Sequence, residues 1–151
     1  MVSIEVKSIT EQKKQFLDLL LLADEQESMV DRYLDRGQMF ALWDGGQVRS
    51  IAVVTEEGPK ICELKNLATR PADQGKGYGR AMVRFLFSHY QGRYEKMLVG
   101  TGESPLTVPF YEKCGFTYSH RVKDFFIKNY DHPIIDGGIV LKDMVYYEKT
   151  L

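Results

Sequence analysis

The chain has 151 residues, of which 44% are hydrophobic and 27% charged, with 20 Lys+Arg set against 21 Asp+Glu. That length suits a single domain over residues 1–151, large enough to bury a core without a disulfide or metal staple. The near-balance of charge argues against a dedicated nucleic-acid binder, which carries a basic excess. The longest apolar run, Leu19 to Ala23, falls far short of the ~20 residues of a membrane span. No basic stretch followed by an apolar one opens the chain. Cys62 and Cys114 lie in no CxxC pair and match no zinc spacing, so they read as reduced thiols. The expectation is a soluble cytoplasmic protein with no metal, nucleic-acid or membrane partner.

Ile4 to Ile9 alternates apolar and polar and predicts a first strand. Thr10 is a plausible N-cap for a helix carrying Phe16, Leu19, Leu20 and Ala23. Ser28 to Arg36 predicts a second short helix, with Gly37 as its cap. Gln38 to Trp43, the turn Asp44-Gly45-Gly46 and Val48 to Thr55 predict a hairpin. Glu56 to Pro59 reads as the next turn, and Lys60 to Thr69 as the third strand of the meander. Tyr78, Ala81, Met82, Phe85, Leu86 and His89 trace one face of a 3.6-residue period, which is the clearest helix in the chain. Lys96 to Val99 then predicts a strand joined to the third by a right-handed parallel crossover. Ser104-Pro105 opens a helix to Lys113, with Pro at its first position and Gly115 as its stop. Phe116 to Ile127 and Ile139 to Lys149 read as long antiparallel strands. The order β-αα-βββ-α-β-α-ββ defines a mixed α+β domain.

Gln74-Gly75-Lys76-Gly77-Tyr78-Gly79-Arg80 lies between a strand and the strong helix. The first turn of a helix has free N–H groups and the positive end of its dipole. Glycines let a phosphate approach those groups, and Lys76 and Arg80 add positive charge. The P-loop pattern is missing. The GxGxxG fingerprint fails because position 80 is Arg, and the turn follows an antiparallel meander. Read from these residues alone, the segment is either a phosphate cradle or a tight turn.

In order along the chain, Glu63 to Thr69, then Gln74-Gly75-Lys76-Gly77-Tyr78-Gly79, then Phe110-Tyr111-Glu112-Lys113-Cys114-Gly115-Phe116 resemble the GNAT superfamily of acyl-CoA-dependent N-acetyltransferases. Gln74, Gly77 and Gly79 fall at the signature positions of its Q/R-x-x-G-x-G/A loop, and the likeness extends over essentially the whole chain. It implies a mostly antiparallel sheet with a central, splayed parallel pair and helices on both faces. It further implies transfer of an acetyl group from acetyl-CoA, the co-substrate, directly to a primary amine of a small molecule or peptide. Backbone groups of Leu67, Ala68 and Thr69 would hold the pantetheine arm. Gln74 and the amides of Gly75, Lys76, Gly77, Tyr78, Gly79 and Arg80 would hold the pyrophosphate. Tyr111 would protonate the leaving thiolate; an ordinary phenol pKa of about 10 keeps its proton on at neutral pH. Glu63, eleven residues before Gln74, would deprotonate the amine directly or through water.

One segment departs from the family. Many members carry Asn near the start of the tyrosine helix, where this chain reads Thr101-Gly102-Glu103-Ser104-Pro105-Leu106. Ser104 could supply the missing hydrogen bond to pantetheine, or Glu103 could put an anion there. The acceptor site is expected from the first two helices and the last two strands, whose acids, Asp24 and Glu25 among them, suit a cationic amine or are ordinary surface charge. Tyr33, Trp43, Phe125 and Phe126 line an apolar floor or belong to the core. His89 reads as structural, and His120 and His132 have no paired ligand spacing. A free edge strand would allow a homodimer by strand pairing. The competing reading is a catalytically silent acyl-CoA sensor acting through a partner, which would need neither Tyr111 nor Glu63.

Overall fold

Seven strands share one sheet in the computed structural model, which describes residues 4–151. β1 (Ile4–Ile9), β2 (Gln38–Asp44), β3 (Gln47–Gly58) and β4 (Ile61–Thr69) form an antiparallel meander. β5 (Lys96–Gly102) then adds parallel to β4, and β9 (Met144–Thr150) lies between β5 and β6 (Thr117–Val122), giving the order β1-β2-β3-β4-β5-β9-β6. β7 (Ile135–Asp136) and β8 (Ile139–Val140) form a separate two-stranded hairpin. The α+β class and the parallel crossover expected from the sequence are both present.

The two faces of the sheet carry separate clusters. On one face, α3 (Tyr78–Tyr90) and α4 (Val108–Lys113) pack over Phe40, Ala52, Leu64 and Val99. On the other, α1 (Leu17–Ala23) and α2 (Glu27–Val30) cover Met39, Ile51, Val53 and Ala68. A small third cluster of Phe126, Ile134 and Leu141 lies under α5 (Phe125–Asn129) and the β7–β8 hairpin.

β4 belongs to both faces, and one extra residue sets its phase. Leu64 lies opposite Val54 and Asn66 opposite Val53, so Lys65 is a bulge with no partner on β3. Such an insertion changes which face the following residues take. Cys62, Leu64 and Leu67 therefore all meet the α3 side, whereas Asn66 and Ala68 meet α1.

Several boundaries differ from expectation. Thr10 does not cap α1; a 3-10 turn at Lys13–Phe16, entered through left-handed Gln12, precedes it. The second helix is helical only over Glu27–Val30, and looser turns carry the chain on to Arg36. Gly37 is not a left-handed cap. A side chain there would collide with the Tyr33 carbonyl and with Val53, so glycine lets the chain pass close beneath β3. The β3–β4 turn lies at Pro59-Lys60, later than the sequence suggested, because Lys60 takes the left-handed conformation while Gly58 still pairs with Ile61. By contrast, Gly45 and Gly46 both have positive φ, as the two-residue hairpin requires.

The buried stripe of α3 is centred on Met82, Val83, Leu86 and Tyr90, because apolar residues continue around the helix beyond the predicted face. α4 starts at Val108 and not at Pro105. The Ser104 hydroxyl accepts the Leu106 amide at 3.1 Å and holds a turn before the helix. The largest correction concerns the two long strands expected near the C-terminus. Left-handed Asp124 ends the first, α5 follows it, and the second begins only at Met144.

Candidate active site

Pairing between β4 and β5 runs from Ile61–Lys96 to Leu64–Val99 and then stops. Beyond that point Lys65–Thr69 of β4 and Gly100–Gly102 of β5 separate, and their facing backbone groups lack a strand partner. A cavity of about 280 Å³ opens in the gap, near the lower end for small-molecule sites. Leu67, Ala68, Thr69 and Gln74 line one wall, and Gly100 to Gly102, Thr107 and Tyr111 the other. The Gln74 amide donates to the Thr69 carbonyl at 3.2 Å, tying the end of β4 to the glycine loop.

The loop has the conformation its glycines allow. Gly75 and Gly77 have φ of 78° and 90°, which L side chains rarely adopt. Open space lies beside both. No side chain caps α3, and among the described residues the amides of Gly75 to Arg80 donate to no protein acceptor. Lys76 and Arg80 are exposed beside these amides, and Lys76 lies 3.5 Å from the buried Asp73, which also pairs with Arg49. Gly79 closes the arrangement from behind, where an added Cβ would press on the Phe110 ring at 3.3 Å. Free amides, a helix of 13 residues and flanking cations fit a pyrophosphate.

Tyr111 reaches the cavity from α4, packed edge-on against Phe110 and Phe116. Burial drives its phenol well above the ordinary tyrosine pKa, and among the described residues its hydroxyl has no hydrogen-bond partner. It is a held, protonated donor. Glu63 lies one residue before the last β4–β5 pair, opposite Thr55, on the α1 side of the sheet. It is buried, 3.1 Å from Lys65, and does not reach the cavity wall. Burial raises its carboxyl pKa, and Lys65 opposes the shift.

Ser104 is only 2% exposed, with its hydroxyl engaged by the Leu106 amide. Thr101 and Thr107, hydrogen-bonded to each other at 2.8 Å, take the wall instead. Glu103 points away to Arg121. Of the aromatic candidates, Phe126 lines the cavity, Tyr33 is core, and Trp43 packs near Lys7 at the far edge. Sequence reasoning passed over Asn66 and Tyr130, both on the wall. The β4 bulge that turns Asn66 leaves no periodic signal, and Tyr130 sits in a stretch that read as loop.

The chain matches the family model of the acetyltransferase (GNAT) domain over residues 35–118. It is 32% identical over 147 residues to the uncharacterized N-acetyltransferase YvbK of Bacillus subtilis, covering 96% of this chain and 95% of that one. A GNAT family acetyltransferase from Elizabethkingia anophelis, solved with acetyl-CoA bound, superposes with a TM-score of 0.92 at 29% identity over 98% of both chains. The IAA acetyltransferase of Bacillus cereus gives 0.91 at 35% identity, over 99% of this chain and all of that one. The chain belongs to the GNAT family and is an acetyl-CoA-dependent acetyltransferase.

Proposed function

We propose that the protein moves the acetyl group of acetyl-CoA directly to a primary amine of a small molecule or peptide. The observation that carries this reading is that the Tyr111 phenol lines the same cavity as the unpaired backbone of β4. Leu67, Ala68 and Thr69 hold the pantetheine arm as an added strand would be held, and an amide near Leu67–Ala68 polarises the thioester carbonyl. The amides of Gly75 to Arg80, with Lys76, Arg80 and the Gln74 joint, hold the pyrophosphate. The acceptor nitrogen bonds to the carbonyl carbon as the carbon–sulfur bond breaks. Tyr111 gives its proton to the departing thiolate, and Glu63 takes up the amine's proton by way of water. A relative crystallised with acetyl-CoA supports acetyl as the group moved.

Acetyl-CoA is expected to raise the melting temperature of the purified protein and, with an amine panel, to release free thiol. Tyr111→Phe keeps the packing and is expected to lower kcat by about 100-fold or more, the scale of general acid catalysis. The reading is overturned by a protein that neither responds to acetyl-CoA nor releases thiol with any amine, and the acid role by a Tyr111→Phe enzyme at full rate.

A further inference from the structure

Across the cavity from the glycine loop, the end of α1 carries Asp24 on the wall, half-buried. Its surroundings are fully defined. The Asn66 side-chain nitrogen lies 3.0 Å from the Leu20 carbonyl and 3.0 Å from the Tyr33 hydroxyl oxygen. A carbonyl only accepts, so the Asn66 group facing it is the NH2, and the second hydrogen of that NH2 goes to Tyr33. The Tyr33 hydroxyl hydrogen is then committed to Asp24 Oδ2, at 3.1 Å. Tyr130, from beyond α5, donates to Asp24 Oδ1 at 2.6 Å. The Tyr33 and Tyr130 hydroxyl hydrogens both point toward the carboxylate.

Asp24 nevertheless has no Lys, Arg or His nitrogen within 4.0 Å among the described residues, while the neighbouring Glu25 and Asp131 share His132. A partly desolvated anion held by two hydroxyls, with the Arg32 charge acting only from beyond salt-bridge distance, is costly unless a cation completes it. Burial pushes its carboxyl up, against the two hydroxyls, the Gln26 backbone and the Arg32 charge, so a cation bound there would favour its ionised form. Asn66 is 3% exposed, and its Oδ1 is buried without a partner on the same wall. Lys65, Glu25 and Asp136 also line the cavity, and beside Asp24 Phe126, Ile134, Leu141 and Met144 form an apolar patch on its wall.

We propose that Asp24 binds the ammonium of the acceptor, and that the acceptor is a monocationic primary amine with an apolar body seated against Phe126 and Leu141. This rests on the acetyl-transfer reading above. Tyr33 and Tyr130 position the carboxylate, and Asn66 orders Tyr33. The test compares thiol release from acetyl-CoA with 2-phenylethylamine, phenylalanine and spermidine as acceptors.

The parent enzyme is expected to prefer 2-phenylethylamine, because phenylalanine brings a carboxylate toward Asp24 and spermidine brings extra charge to the apolar wall. Asp24→Asn is expected to raise the KM for 2-phenylethylamine by about 30-fold or more, the scale of losing one partner of a desolvated charge pair. The KM for acetyl-CoA and the melting shift with acetyl-CoA should stay at parent values, which also shows that the variant folds. Tyr130→Phe keeps the charge and is expected to raise the amine KM by a smaller factor. The proposal is overturned by an amine KM unchanged in Asp24→Asn, or by preference for spermidine or phenylalanine. A parent with no response to acetyl-CoA sinks the acetyl-transfer reading instead.

Discussion

Two carboxylates, Asp24 on the cavity wall and Glu63 behind it, are set apart by their surroundings. Glu63 is closed into the sheet face with Lys65 as its cation, whereas Asp24 stands on the wall with two tyrosine hydroxyls. A base must lose its proton before it acts, so if Glu63 takes the amine's proton, kcat climbs with pH through a value above the ordinary carboxylate range. Glu63→Gln is expected to abolish that acid limb and to lower kcat at pH 7 by about 100-fold. A Glu63→Gln enzyme that keeps both limb and rate would move proton uptake to another group. Tyr111 titrates on the far side of neutrality, since burial raises an already high phenol pKa, and it stays a proton donor throughout that range.

At the scale of elements, the open arm of β5 is built around glycines. A Cβ at Gly100 would press on Tyr146 at 2.8 Å and Met144 at 3.1 Å, and one at Gly102 would run into Leu141. Both positions let the C-terminal segment lie close on β5, and Leu141 and Met144 thereby reach the cavity. Gly102→Ala is expected to destabilise by about 1–3 kcal/mol through overpacking, roughly a 2–4 °C fall in melting temperature per kcal/mol for a chain of this size. It should also raise the amine KM, because Leu141 must move; thermal melts and steady-state kinetics check both. Tyr78 to Tyr90 was legible because its apolar spacing and its glycine loop agree. The interruption at Phe125–Asn129 was not, since Phe125, Phe126 and Ile127 read equally well as strand until the left-handed turn at Asp124 redirects them. Likewise the loop and Tyr111 were recognisable from local motif order. The Asp24 network joins residues 24, 33, 66 and 130, which no local pattern connects.

The molecule as a whole combines an exposed basic loop, Lys76 and Arg80, with an acidic end of the cavity at Asp24 and Glu25. The acidic end is clasped by polar contacts between segments about a hundred residues apart: Arg32 to Asn129 at 3.1 Å, the Asp131 amide to Gln26 at 3.1 Å, and His132 to Glu25 at 3.0 Å. Both His132 ring nitrogens face carboxylates, which raises its pKa above the ordinary histidine value. This pairing is complete below about 6.5 and is lost as pH rises through the raised value. Hydrogen exchange across residues 125–141, corrected for intrinsic rates, should therefore show protection falling with pH in the parent. In His132→Ala it should show none of that dependence, with little change in melting temperature because the contact is exposed. The bulge at Lys65 has a consequence on the same scale. It works like a frame in a coded message: Leu64 and Leu67 are read on the α3 face and Asn66 on the α1 face only because one residue is counted twice against β3. Pair Lys65 regularly with Val53 and every later position of β4 changes sides. The wall proposed for acetyl-CoA and the hydrogen-bond chain to Asp24 would be lost in a single step, so one unpaired residue keeps the two halves of the cavity in phase.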